Sequence, residues 1–286
     1  MQSDIYLLLL YTLCVFVCYP EYPRNGNERK RNKQLNYYPR RYKMAYKNML
    51  AISSDAKTVK GQKFGYLTGI LYLTPADGSE LGNVCPFALL AGCDKPCLNT
   101  AGRGAFNNVQ LARLAKTAMW FNDRAIFFDN VCRSIRRVIK RAKRLGLTPV
   151  IRLNGTSDIQ FELYSFVFEG VIYSSIFAMF PDVQFYDYTK IPTRHSIPNN
   201  YDLTFSYSGV KTFLPVYEKA KLNPVFKRFA VVFDKAINIP DSFDSMPVMG
   251  GDDSDLRFLD GSGVVALYAK GKAKKDTSGF VVRLVA

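Results

Sequence analysis

Residues 83–108 read NVCPFALLAGCDKPCLNTAGRGAFNN and carry Cys85, Cys93 and Cys97, three of the six cysteines of the chain. Gly and Pro punctuate the stretch, which makes it a loop rather than a helix or strand. An aromatic and β-branched run at residues 64–73 (FGYLTGILYL) precedes it and closes on Thr74-Pro75-Ala76-Asp77-Gly78, the pattern of a strand ended by a turn. From Ala105 onward, Val109, Leu111, Ala112, Leu114, Ala115, Met119 and Trp120 recur at helical spacing. A loop with three thiols between a strand and a long helix suits a metal or an iron–sulfur cluster, and the rest of the chain reads as its scaffold.

The helical pattern runs, with a break at Asn122-Asp123, to Leu145, and Gly146 is placed to cap it. Its second half puts Ile135, Val138, Ile139 and Ala142 on one face and Arg133, Arg136, Arg137, Lys140, Lys143 and Arg144 around the other. Such a charge run is either a solvated outer face or a phosphate-binding one, and a nucleic-acid contact here would rest on Arg133, Arg136, Arg137 and Lys140. Strand and helix then alternate: strands at 149–154, 183–188, 202–206 and 228–233, helices at 163–180 and 211–222. Residues 256–259 and 264–269 are expected to pair as a hairpin across Asp260-Gly261-Ser262-Gly263. Strands separated by helices predict parallel pairing with right-handed crossovers. The expected fold is therefore α/β, a full or partial (βα) TIM-like barrel with the cysteine loop after its first strand.

With 286 residues and 48% hydrophobic composition, the chain can bury the core of one large α/β domain, assigned to residues 44–286. The formal charge of +15 favours an anionic partner, nucleic acid or nucleotide ahead of a membrane, and no membrane partner is expected for residues 44–286. Residues 5–19 (IYLLLLYTLCVFVCY) are apolar but shorter than the ~20 residues that span a bilayer, and Asp4 stands where a signal peptide carries positive charge. Residues 20–43 are basic, Tyr/Asn/Pro-rich and without period, the composition of a disordered tail. Residues 1–43 are read as a dispensable extension or an upstream-start artefact, with a membrane anchor as the alternative, so Cys14 and Cys18 stay outside the site.

In a barrel, the polar clusters that follow the strands share one rim, where such folds place their chemistry. Asp158, Asp187, Lys190 and Asp252 are the candidate catalytic residues, and Asn154, Gly155, Thr156 and Ser157 the candidate cofactor-binding turn. Cys85, Cys93 and Cys97 have the spacing Cys-x7-Cys-x3-Cys. Structural zinc takes four ligands, so it would have to recruit His195, Cys132 or a carboxylate; three cysteines suit a [4Fe–4S] cluster with one iron left open. Incidental cysteines are the bland alternative. A hydrolase would rest on His195, the only histidine, which sits in an IPTRHSIPNN loop without an elbow motif, and a paired-histidine nickase is excluded. Gly102-Arg103-Gly104 lacks the Gly-Lys-Ser/Thr of a Walker loop, and Asp252-Asp253-Asp255 lacks a calcium loop. Lys270, Lys272, Lys274 and Lys275 form a basic tail loop that suits phosphates.

The stretches NVCPFALLAGCDKPCLNTAGRGAFNNVQLARLAKT, VIRLNGTSDIQFE, FPDVQFYDYTKIP, NYDLTFSYS, GGDDSDLRFLD and AKGKAKKDTSGFV resemble, block by block and in the same order, the bacteriophage family Gene product 88. The resemblance covers the chain from about Met49 onward and implies a protein of the infected bacterial cytoplasm, but brings no settled activity. The cysteine loop after the first barrel strand is also similar to the radical S-adenosylmethionine superfamily. There the open iron binds the methionyl group and a Gly-Gly-Glu motif at the second strand meets its amino group; the matching place here is Asn154-Gly155-Thr156-Ser157-Asp158. That superfamily spaces its cysteines three and two apart, whereas this loop has seven and three and no Gly-Gly-Glu. The second resemblance implies an iron–sulfur enzyme with S-adenosylmethionine as cosubstrate, and the basic residues of the rim point to a nucleotide or nucleic acid as what it acts on. The alternative is a non-catalytic, metal-stabilised nucleic-acid-binding protein holding zinc or a cluster. The catalytic reading expects the three sulfurs to converge over the strand ends, with Cys132 elsewhere in the core.

Overall fold

The computed structural model describes residues 48–52, 56–235 and 239–284; the extension at residues 1–43 lies outside them. In chain order the elements are β1 (Leu50–Ile52), α1 (Ala56–Gln62), β2 (Tyr66–Leu71), α2 (Asn107–Asn122), α3 (Arg124–Leu145), β3 (Thr148–Arg152), β4 (Phe166–Phe168) and β5 (Val171–Tyr173). They continue with α4 (Ile176–Met179), β6 (Gln184–Thr189), β7 (Tyr201–Ser206), α5 (Leu214–Lys221), β8 (Arg228–Phe233), β9 (Ser242–Phe243), β10 (Met246–Gly250) and β11 (Gly263–Tyr268). Nine strands form one sheet in the order β1-β2-β3-β6-β7-β8-β11-β10-β9. All pairings from β2 to β10 are parallel, and only the edge strands β1 and β9 are antiparallel.

From β2 to β8 each parallel strand lies beside the previous one, so right-handed crossovers put their helices on a single face. Leu67, Ile151, Phe185, Leu203, Phe229 and Val231 pack there with Phe128, Val131, Ile135 and Val138 of α3. Each of those α3 side chains is buried, which stabilises the fold by about 2 kcal/mol apiece relative to exposure. Because side chains alternate across a strand, the other face carries Thr68, Val150, Arg152, Tyr186, Thr204 and Arg228. It is covered by Leu256 and Phe258, which pack with Val150, Tyr186 and Tyr66.

Three expectations need correction. Strands β2, β3, β6, β7 and β8 are parallel and laid down in chain order, but no closed barrel forms among the described residues: β1 occupies one edge and the β9–β10 hairpin the other, and neither pairs across. The helix read at 163–180 is instead the β4–β5 hairpin followed by the short α4. Glu169 (φ 50°) and Gly170 (φ 81°) link its strands in the two-residue turn that matches strand twist, and the flanking FVF and VIY are β-formers. The hairpin expected at 256–269 is absent, because β11 inserts between β8 and β10 and takes parallel partners on both sides, leaving 257–259 as a 3-10 turn. The break between helices falls where expected: the Asp123 carboxylate accepts from the Ile126 N–H to start α3, and Gly146 at φ 64° ends it. No helix among the described residues is long and apolar enough to cross a membrane.

Candidate functional site

The cysteine loop leaves β2 and folds as a chain of turns: Asn83 Oδ1 accepts from the Cys85 N–H at 2.6 Å, Ala88 N–H reaches the Cys85 carbonyl, and Cys93 N–H reaches that of Ala88. Its carbonyls are then gripped by the ends of distant strands. Ser208 Oγ, beyond β7, donates to Ala91 O at 2.7 Å, Thr212 Oγ1 to Leu90 O at 3.3 Å, and Ser278 Oγ, beyond β11, to Gly92 O at 3.2 Å. From α2, Arg113 donates to Asn99 O at 2.6 Å and also to Asn99 Oδ1. The loop therefore lies across the C-terminal ends of the parallel strands, the rim expected from the sequence.

The turn after β3 forms the floor beneath Cys85. Asp158 N–H donates to Val84 O at 2.7 Å, Thr156 Oγ1 to Leu73 O at 2.5 Å, and the Cys85 thiol to Thr156 O at 3.6 Å. Asn154 and Ser157 spend their side chains inside the turn: Asn154 Oδ1 accepts from Ser157 Oγ and Ile159 N–H, and Asn154 Nδ2 donates to Ile159 O. Gly155 donates to Leu71 O, and a Cβ there would sit 2.8 Å from that same oxygen and 2.6 Å from Ile70 Cγ2. The Gly155→Ala variant is expected to lose about 1–3 kcal/mol of stability, measured by urea unfolding, because backbone as well as side chains must move. Wild-type stability in that variant would show that the strand end has room for a methyl group beside Leu71 O.

Burial pushes the Cys85 thiol up to about 12, against a hydrogen bond from the Ala76 backbone, and Asp158, Cys97 and Cys93 push it in the same direction. Cys93 is raised by burial and by Asp94 and Asp158, with Lys190 opposing; Cys97 is raised by burial and by Cys93, with Arg113 and Lys190 opposing. The three thiols thus feel one another's charge and share Lys190 as a neighbouring cation. Cys132 is apart from them, buried in α3. Among the described residues no group of three or more His, Cys, Asp or Glu side chains is gathered closely enough to hold a metal ion.

Lys190 follows β6, and its Nζ donates to Ser206 Oγ at 2.7 Å and Ser206 O at 3.0 Å, lying over the rings of Phe213 and Phe280. Burial lowers its pKa, and Cys93, Asp158, Cys85 and Cys97 hold it back up. Asp158 Oδ2 accepts from the Lys190 N–H at 2.7 Å, and Arg194 lies 3.6 Å from its other oxygen; burial raises this carboxyl, with Arg194 opposing most. Asp187 is the floor's anchor: it accepts from Leu153 N–H, Asn154 N–H at 2.9 Å and Tyr201 Oη at 3.1 Å. Asp252, after β10, pairs with Lys270 at 3.2 Å, and its carbonyl accepts from Lys60 Nζ. Cys85, Cys93, Cys97, Asp158 and Lys190 therefore lie within reach of one another's charge, Asp187 underlies the turn beneath Cys85, and Asp252 is engaged beyond β10.

The arginine-rich face of α3 is partly neutralised. Arg136 pairs with Glu169 at 2.8 Å, Arg133 with Asp129 at 2.9 Å and Glu169 at 3.8 Å, and both lie over Phe168. Arg137 and Lys140 are exposed. Sequence reading missed Arg113 and Arg194, lone arginines whose burial only the packing reveals, and it missed the polar sheet face. There Arg152 pairs with Asp255 at 2.5 Å beneath Tyr188. Alternation in β3 and β6 carried that last signal.

No curated protein and no solved structure matches the chain. The Gene product 88 family matches residues 42–284, a span that includes the cysteine loop, its floor and the whole sheet. The chain belongs to the Gene product 88 family.

Proposed function

We propose that Cys85, Cys93 and Cys97 hold a [4Fe–4S] cluster with one open iron, in an enzyme of radical S-adenosylmethionine type that acts on a nucleotide or nucleic acid. The observation that carries this reading is the seat of the cysteine loop across the C-terminal ends of the parallel strands, held by Ser208, Ser278 and Thr156, with three partly buried thiols and Lys190 within reach of one another's charge. Thiols bind iron as thiolates; burial raises all three, so Lys190 and Arg113 alone would not keep them ionised and a bound cation would have to supply the counter-charge. Sulfurs on one zinc lie about 3.8 Å apart in a tetrahedron, whereas sulfurs on separate irons of a cluster stand roughly 6 Å apart. Among the described residues no group of three or more His, Cys, Asp or Glu side chains is gathered closely enough for a metal ion, so binding either metal would require the loop to draw its sulfurs together.

When bound, the cluster and S-adenosylmethionine supply one-electron radical chemistry. The chain's own contribution is placement. The Asn154-Gly155-Thr156-Ser157 turn fixes the Cys85 side of the site, and Asp187 fixes that turn. Lys190 holds a proton at Nζ between Ser206 and the thiols, and its burial makes that proton easier to release than an exposed lysine's. Asp158 holds the backbone of Lys190 in place.

Anaerobic purification followed by metal and sulfide analysis tests the reading. About four irons and four sulfides per chain, with broad absorbance near ~400 nm, are expected, falling to near zero in the Cys93→Ser and Cys97→Ser variants. One zinc per chain without sulfide would overturn it and favour the non-catalytic, metal-stabilised binding protein, and no metal at all would overturn both.

A further inference from the structure

We propose that the 3-10 turn at Gly271–Lys275, together with the exit of the cysteine loop, binds the phosphate backbone of single-stranded nucleic acid and leads it to the thiol site. This deepens the substrate reading above and rests on it for what happens at the thiols, but the binding itself stands on separate residues. Lys272, Lys274 and Lys275 point outward from the turn, while Ala273 is buried and anchors it. The turn packs on the cysteine loop's exit: a Cβ on Gly271 would lie 3.2 Å from Ala101 Cβ. Two residues beyond Ala101 stands exposed Arg103, and then Phe106, whose side chain is 59% exposed. Among the described residues none of Lys272, Lys274, Lys275 and Arg103 has a carboxylate partner; Lys270, just before the turn, is the one that pairs, with Asp252.

At the start of the basic face of α3, by contrast, Arg133 and Arg136 are already matched by Asp129 and Glu169, and what sets the turn apart from the rest of that face is the exposed Phe106 ring on the segment it packs against. Unpaired lysines beside an exposed aromatic ring are the combination that tracks a strand's phosphates and stacks an unpaired base. The path to the thiols is short, since the chain runs from Lys275 to Ser278, which bonds Gly92, and to Phe280, over which Lys190 lies.

Fluorescence anisotropy of the full chain with a labelled single-stranded 20-mer, titrated at several salt concentrations, tests the proposal. Wild type is expected to bind at low salt. The triple variant Lys272→Gln/Lys274→Gln/Lys275→Gln should flatten the slope of log affinity against log salt by about two, at roughly 0.7 per phosphate contact. Phe106→Ala should weaken binding about fivefold or more. The control triple Arg137→Gln/Lys140→Gln/Arg141→Gln should leave the slope unchanged. An unchanged slope in the first triple, a flattened slope in the control, no binding by wild type, tighter binding of duplex than of single strand, or equal binding of polyglutamate would each overturn it. Cys93→Ser, expected to lose iron, should keep the wild-type slope, so failure of the cluster reading and failure of this one are separately visible.

Discussion

Replacing Arg194 with Met is expected to remove about 3–5 kcal/mol of stability at neutral pH, the largest loss from any single change discussed for this protein. The side chain is fully buried and contacts Glu162 at 2.7 and 2.9 Å, Asp158 at 3.6 Å, Tyr201 Oη at 3.3 Å and Thr189 Oγ1 at 3.4 Å. Methionine fills similar space without charge, leaving Glu162 without its cation and Asp158 with Lys190 alone nearby. Burial raises the pKa of both Asp158 and Glu162, with Arg194 the chief opposing influence in each case. Without the arginine both would take up protons. The deficit should therefore shrink as pH falls and both carboxyls become neutral. Urea unfolding of variant and wild type at pH 5 and pH 8 measures this. A deficit below about 1 kcal/mol at pH 8, or one that does not narrow at pH 5, would show that Arg194 is not the counter-ion of this cluster. Since Asp158 holds the Lys190 backbone, the variant is also expected to retain less iron than wild type.

What the sequence made legible follows from how local each signal is. The run RFAVVF is a strand because its residues favour a pleated, buried surface, and β8 occupies the same residues, 228–233. The helix break at Asp123 and the cap at Gly146 are equally local, each set by one side chain or one backbone angle. Sheet order is not local. Nothing in VVALYA says that β11 takes a place between β8 and β10, and the reading as a hairpin chose the nearest partner in sequence over the partner in space. At 163–180 the miss was of a different kind, because Glu169-Gly170 between two β-branched and aromatic triplets is a local hairpin signal that a longer helical period overrode. The cysteine loop was found from composition, and its neighbours Asp158 and Lys190 from their place after strands. Arg113 and Arg194 escaped because an isolated arginine in sequence is ordinarily a surface residue, and only the folded chain shows each one buried against carbonyl or carboxylate groups. Asn154 and Ser157 look the same in sequence whether they face a ligand or hold their own turn.

Asp187→Asn is expected to change the pH dependence of stability by about 3 kcal/mol. Burial pushes the Asp187 carboxyl up to about 6, with Arg152 and the Asn154 and Leu153 N–H groups and Tyr201 opposing. The unfolded chain has an ordinary carboxyl near ~3.9, so the folded protein binds the extra proton between about pH 4 and pH 6. The stabilisation linked to that proton is complete below about pH 4 and is lost as pH rises through 6; two units at about 1.4 kcal/mol each give the magnitude. Asparagine never ionises, and its one carbonyl oxygen keeps an acceptor for one of the Leu153 and Asn154 N–H groups, which meet different oxygens of the carboxylate. The stability of the variant minus that of wild type should accordingly rise across pH 4–7 and level off above, read from urea unfolding at half-unit steps. Parallel curves would mean that Asp187 is charged throughout and that its bonds from Asn154, Leu153 and Tyr201 outweigh its burial. Because Asp187 holds the turn whose Thr156 carbonyl meets Cys85, the same variant separates positioning from chemistry. Asp187→Asn, which leaves one of the two N–H groups without its acceptor, should keep more iron than Asp187→Ala, which leaves both the Leu153 and Asn154 N–H groups unpaired and buried.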